Sequence, residues 1–208
     1  MKNILCYGDS NTFGFNPVDG SRFDEKTRWT KVLQTNLKEH YKVIEEGANN
    51  RTGFVNNHAG FLYSAHRHFP KTITKLKDID ILILSIGTND LQFQYDIGFN
   101  AIEKGLEELI LIARDNANRV ILIPPVILNE DIFNGFFKTM FDETSIGKSK
   151  KVGRIYTKLA NIYNCDVFDI NKFATPSSVD GLHYDENSHK LIADKLTDFI
   201  LERENSES

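Results

Sequence analysis

Residues 81–86, Ile-Leu-Ile-Leu-Ser-Ile, constrain the fold more than any other stretch. A strand with one wet face alternates apolar and polar side chains. A strand that is apolar at successive positions is buried on both faces, and that points to a parallel sheet covered by helices. The run breaks at Gly87-Thr88-Asn89-Asp90, a turn composition. Similar apolar runs occur at 4–7, 41–44, 119–123 and 166–170. Between them, apolar residues recur at helical spacing. The sets are Trp29, Val32, Leu33 and Leu37; Ile102, Leu106, Leu109, Ile110 and Ala113; and Val152, Ile155, Tyr156, Leu159 and Ile162. Residues 189–201 read as a C-terminal helix and 202–208 as a fraying tail. Residues 56–68 are weakly helical, and Pro70 is expected to end that piece.

Five strands alternating with helices predict an α/β fold with a parallel sheet and helices on both faces. Right-handed crossovers restrict it to a few doubly wound arrangements. At 208 residues the chain is expected to form one domain, 1–208. Residues 125–148 are long for a connection and carry Phe133, Phe136, Phe137, Met140 and Phe141. This aromatic-rich insertion reads as a lid, a pocket wall, an oligomer contact or a helical excursion packed on the domain.

Lys plus Arg number 25 and Asp plus Glu 29, giving a net charge of −4. A mildly acidic chain without a basic run argues against nucleic acid as a partner. No apolar stretch approaches the roughly 20 residues a membrane helix needs. The two cysteines, Cys6 and Cys165, sit in apolar runs and read as buried free thiols. With no signal-peptide pattern at the N-terminus, the expected location is cytoplasmic. His66 and His68 lie two apart without a carboxylate or cysteine cluster, so no metal site and no cofactor are expected. The P-loop pattern fails after Gly14, and the Gly-X-Ser-X-Gly elbow is absent.

Chemistry is expected where the strands end, because open α/β sheets bind ligands at their carboxyl edge. The first strand stops at Gly8-Asp9-Ser10-Asn11, which places a serine at that edge. A serine needs a base, the base needs an orienting acid, and the carbonyl needs oxyanion donors. Asp180 and His183, three apart in a loop before the last helix, can supply carboxylate and imidazole. Gly47 after the second strand, Asn89 after the third and the Ser10 N–H can supply donors. Singly, each residue has a plainer reading: a helix cap for Ser10, an Asx turn for Asn89, loop polarity for Asp180 and His183. A small-anion-binding module is the non-enzymatic alternative.

In order, Gly8-Asp9-Ser10-Asn11-Thr12, Gly47, Gly87-Thr88-Asn89-Asp90 and Asp180-Gly181-Leu182-His183 resemble the four blocks of the SGNH (GDSL-type) hydrolases. Arg28-Trp29, Val43-Ile44-Glu45-Glu46-Gly47 and Arg51-Thr52 are similar to the arylesterase/acyltransferase branch. The resemblance implies a flavodoxin-like three-layer α/β/α sandwich on a five-stranded parallel sheet. It implies a serine esterase with nucleophile Ser10, base His183 and its partner Asp180, and an oxyanion hole of Ser10, Gly47 and Asn89. Its substrates would be small acyl esters, with acyl transfer to alcohols and a homo-oligomer left open. Carbohydrate O-acetylesterases, thioesterases and lysophospholipases belong to the same family. Asn11 stands where the family name has leucine, so Asn11 is expected to shape the acyl pocket. Phe13, Phe15 and Phe133 are expected to line the substrate site, as sugar platforms or as an apolar wall.

Overall fold

The computed structural model describes the backbone of residues 1–207 and the side chains of 1–203. Five parallel strands are β1 (Lys2–Gly8), β2 (Tyr41–Gly47), β3 (Ile79–Ser85), β4 (Ala117–Ile123) and β5 (Asp166–Val167). They lie in the order β2-β1-β3-β4-β5. The helices are α1 (Ser10–Phe13), α2 (Trp29–Leu37), α3 (Ala65–Ile73), α4 (Phe99–Arg114), α5 (Glu143–Tyr163) and α6 (Glu186–Glu207). Because the chain leaves β1 for β2 and then returns past β1 to β3, right-handed crossovers put α2 and α3 on opposite faces. The packing agrees: α2 lies against α6, and α3, α4 and α5 form a row. The fold is the expected three-layer α/β/α sandwich.

The apolar runs in β1 and β3 become the core. Ile4, Leu5, Cys6 and Tyr7 are completely buried, and so are Leu82, Ile83 and Leu84. The order of strands reverses between β1 and β3, which opens a crevice at their carboxyl ends. Ser10 follows one of these strands and Asn89 the other. β2 is an edge strand. Gln34 of α2 answers its outward backbone groups, donating Nε2 to the Tyr41 carbonyl (2.9 Å) and accepting the Val43 N–H (2.7 Å).

The structure departs from the sequence reading in three places. Pro70 lies inside α3 rather than ending it. The helix is amphipathic and seats Ala65, Phe69 and Ile73 fully in the core, and that burial outweighs the lost backbone bond. The last strand covers only 166–167, because Asp169 caps a 3₁₀ turn with its carboxylate on the Asn171 N–H (3.2 Å). Helix α6 runs on to Glu207 where a frayed tail was expected, anchored by Arg203 on Asp166 (2.7 Å); Ser208 lies outside the described residues. Residues 125–148 pack on the domain through buried Val126, Leu128, Ile132 and Phe141. Among the described residues no helix is long and apolar enough to cross a membrane.

Candidate active site

At the end of β1 the Asp9 carboxylate accepts the Asn11 N–H (3.1 Å) and starts the single turn of α1. That turn places Ser10, which is almost buried, facing the loop before α6. The Ser10 Oγ lies 2.9 Å from His183 Nε2, and His183 Nδ1 lies 2.7 Å from Asp180 Oδ2. The ionised Asp180 carboxylate accepts a hydrogen bond from Nδ1–H, so in the neutral ring Nε2 is the acceptor for the Ser10 hydroxyl. The other carboxylate oxygen accepts the N–H groups of Leu182 (3.0 Å) and His183 (2.9 Å), which folds the loop back on itself. Burial pushes the Asp180 carboxyl up, but its bond to His183, the His183 charge and the two N–H groups outweigh burial and hold it below its ordinary value. The sequence placed Ser10, Asp180 and His183 together, and the structure brings them into one hydrogen-bonded chain.

Asn11 is engaged at both polar ends of its side chain. Its Nδ2 donates to the Leu182 carbonyl (3.2 Å), and its Oδ1 accepts the Tyr184 N–H (3.1 Å). Both polar ends of this buried side chain grip the residues on either side of His183. The Asn11 carbonyl in turn accepts the Trp29 indole N–H (2.9 Å). Asn11 thus ties the serine turn to the histidine loop.

Gly47 is required for packing. A Cβ there would stand 2.3 Å from the Phe13 nitrogen and 2.6 Å from the Thr12 carbonyl carbon, inside α1. The Ala48 N–H donates to the Gly8 carbonyl (3.2 Å), which sets the phase of the β1–β2 ladder. In that phase Glu46 and Ala48 face β1, and the Gly47 N–H points to the outer edge, away from the crevice. Three residues on, Asn50 occupies the left-handed region at φ 56°. Its backbone N–H makes no hydrogen bond among the described residues. The Asn89 Nδ2 donates to the Arg51 carbonyl (3.1 Å), so Asn89 sits beside Asn50.

This loop is held from beneath by two buried ionisable groups to which the sequence reading gave no role. The fully buried Arg51 guanidinium donates to the carbonyls of Leu62, Gly8 and Glu46 and lies over the Tyr7 ring, 4.4 Å from its centroid. The buried Asp90 carboxylate accepts the N–H groups of residues 53–55 at 2.6, 2.7 and 2.9 Å. Burial raises the Asp90 carboxyl to about 6, against those three donors. Asp90 follows Asn89 in the turn after β3, so the same turn carries Asn89 and braces the loop that meets it.

The aromatic residues are distributed differently from the expectation. The Phe13 ring packs under the Arg22 guanidinium (4.5 Å), and half-buried Phe133 packs on the core. The rings beside His183 are Phe15 (4.3 Å between centroids) and Phe137 (5.2 Å). Phe136 continues the row at 5.3 Å from Phe137 and is 90% exposed. Residues 125–148 therefore form a wall of the site. Nothing in the spacing of that stretch marks Phe137, because its approach to His183 depends on how the whole segment packs.

The family described as GDSL-like Lipase/Acylhydrolase matches residues 4–196. Among solved structures, the chain is similar to the aryl esterase of M. smegmatis, with 25% identity over 97% of this chain and 99% of that one and a TM-score of 0.88. It is also similar to a carbohydrate acetylesterase family member from Sinorhizobium meliloti, with 27% identity over 96% and 97% of the two chains and a TM-score of 0.88. The lipase/acylhydrolase of Enterococcus faecalis shares the fold at 19% identity over 98% and 97% of the two chains, with a TM-score of 0.69. No curated protein sequence matches the chain. A serine, histidine and aspartate joined at the carboxyl edge of a parallel sheet, in a chain matched almost end to end, place this protein among the GDSL-like lipases/acylhydrolases, and it is a carboxylic ester hydrolase.

Proposed function

We propose that the protein is a serine esterase for small acyl esters, with Ser10 as nucleophile, His183 as general base and Asp180 as the group that holds His183. The observation that carries this reading is the continuous Ser10–His183–Asp180 chain, with contacts of 2.9 and 2.7 Å. His183 Nε2 removes the hydroxyl proton as Ser10 Oγ bonds to the ester carbonyl carbon. The carbonyl electron pair moves onto oxygen. That oxyanion is met by the Ser10 N–H, one Asn89 Nδ2 proton and the Asn50 N–H, which takes the place expected of Gly47. Collapse expels the alcohol oxygen, which takes the proton from His183 and leaves an acyl-Ser10 ester. Water, deprotonated by His183, then releases the acid and restores the serine.

The alcohol leaves on the His183 side, where Phe15, Phe137 and Phe136 line the approach. This wall favours aryl or other apolar alcohols. A carbohydrate O-acetylesterase is the second reading, because such rings also stack on sugar faces and one similar structure carries that description. An alcohol bound on the same wall could replace water as acceptor, giving acyl transfer from the same intermediate. Ser10→Ala should lower kcat on p-nitrophenyl acetate by about 10⁴-fold or more, since such residues act as a unit. A fluorophosphonate should label Ser10 in the parent and leave the variant unlabelled. Near-normal turnover by Ser10→Ala would refute the assignment. Turnover of acetylated xylosides well above that of aryl acetates would favour the second reading.

A further inference from the structure

Asn89 donates from one end of a side-chain amide, and an amide that can rotate is a poor oxyanion donor. Both ends of this one are held. Its Nδ2 donates to the Arg51 carbonyl (3.1 Å), and its Oδ1 accepts from Gln92 Nε2 (3.1 Å). The same Gln92 Nε2 donates to Asn50 Oδ1, also at 3.1 Å. A single buried NH₂ group therefore joins the side chains of the two asparagines that flank the proposed oxyanion position. The orientation of Gln92 is itself set, because its Oε1 accepts from Gln94 Nε2 (2.9 Å).

Consider the alternative rotamer of Asn89. A flipped amide would put Nδ2 against Gln92 Nε2, donor facing donor, and Oδ1 against the Arg51 carbonyl, acceptor facing acceptor. Two hydrogen bonds would be lost and two repulsions gained, so the observed orientation is fixed from both sides. Asn50 has a related problem. A residue other than glycine at φ 56° is uncommon, and its loop needs a tether that keeps the backbone there. The Gln92 bond to its side chain is such a tether.

We propose that Gln92 is a positioning residue for the oxyanion hole, locking the Asn89 amide and the Asn50 backbone into one preorganised pair of donors. The proposal rests on the oxyanion role assigned above to Asn89. Removing a whole oxyanion donor costs about 10²–10³ in kcat. Removing Gln92 leaves both donors present but loosely held, so Gln92→Met should lower kcat by about tenfold with KM within about twofold. Gln92→Glu, which offers an ionised carboxylate to two asparagine oxygens, should turn the Asn89 amide toward itself and lose more than Gln92→Met. Binding of a transition-state analogue, a trifluoromethyl ketone, should weaken by the same factor as kcat.

The test is a double-mutant cycle with p-nitrophenyl acetate, rates being normalised to active sites titrated with a fluorophosphonate, so that any unfolded fraction drops out. If Gln92 acts through Asn89, Gln92→Met made in an Asn89→Ala background should cost only about two- to threefold, the part carried by Asn50. A full tenfold loss in that background, or parent-like kcat and inhibitor affinity in the Gln92→Met single variant, would overturn the proposal. Parent-like kcat in Asn89→Ala would instead remove the oxyanion role of Asn89 itself, and the proposal with it.

Discussion

Replacing Asn11 by leucine separates two accounts of that residue. The side chain is buried and makes two bonds to the backbone around His183, at 3.2 Å to the Leu182 carbonyl and 3.1 Å from the Tyr184 N–H. In Asn11→Leu both backbone groups lose their partner where water does not reach. Each unsatisfied group costs about 1–3 kcal/mol, and the apolar burial gained by leucine offsets about 2 kcal/mol. The net destabilisation is about 2 kcal/mol, which for a chain of this length lowers Tm by about 4–8 °C. The catalytic effect follows from position, since the two freed groups belong to the residues before and after His183. Displacement of the imidazole by a fraction of an ångström should lower kcat by at least about tenfold. The assays are thermal unfolding by circular dichroism and kcat and KM on p-nitrophenyl esters of increasing acyl length. A variant with unchanged Tm and kcat but a shifted acyl-length preference would refute this reasoning and return Asn11 to the acyl pocket.

Three further outcomes follow from the same geometry. Asp180→Asn should drop kcat by about 10³–10⁴-fold with KM little changed, because an amide NH₂ facing Nδ1 favours the tautomer protonated at Nε2, which cannot accept the Ser10 proton. Gly47→Ala should abolish most activity and reduce the urea midpoint, because its Cβ would force back the α1 backbone that carries Ser10. The completely buried His189 has its imidazole lowered from 6.5 to about 3, by burial first and the His183 charge second. The unfolded chain therefore binds a proton below pH 6.5 that the folded chain refuses, so stability is lost as pH falls from 6.5 toward 3. Urea titrations should show about 2 kcal/mol lost from this group between pH 8 and pH 5, and His189→Gln should remove that component.

The fold was legible because its central strands are apolar on both faces, and a doubly wound sheet is the way to bury 4–7 and 81–86 together. The triad was legible because three residue types fell at strand ends in a fixed order. For the donor after β2, the proposed Asn50 N–H lies three residues beyond the expected Gly47. Gly47 advertises a close approach, but the body that approaches is α1, and only the ladder phase shows where its N–H points. Asn50 carries no comparable sequence signal, since asparagine in a polar loop is ordinary. The contacts of Gln92, Arg51 and Phe137 were not legible: Gln92 reaches back 42 residues to Asn50, Phe137 meets His183 from a separate segment, and Arg51 bonds backbone carbonyls, which no side-chain pattern records.

The edge of the sheet has a consequence for how copies of this chain meet. An outer strand with open N–H and C=O groups is a template on which another chain can grow. Along β2, the Tyr41 carbonyl and the Val43 N–H are already occupied by the amide of Gln34, a side chain standing in for a neighbouring strand. Another backbone could dock there only by first displacing that amide. Strand-by-strand growth, the route to cross-β aggregates, is blocked along this segment by one glutamine.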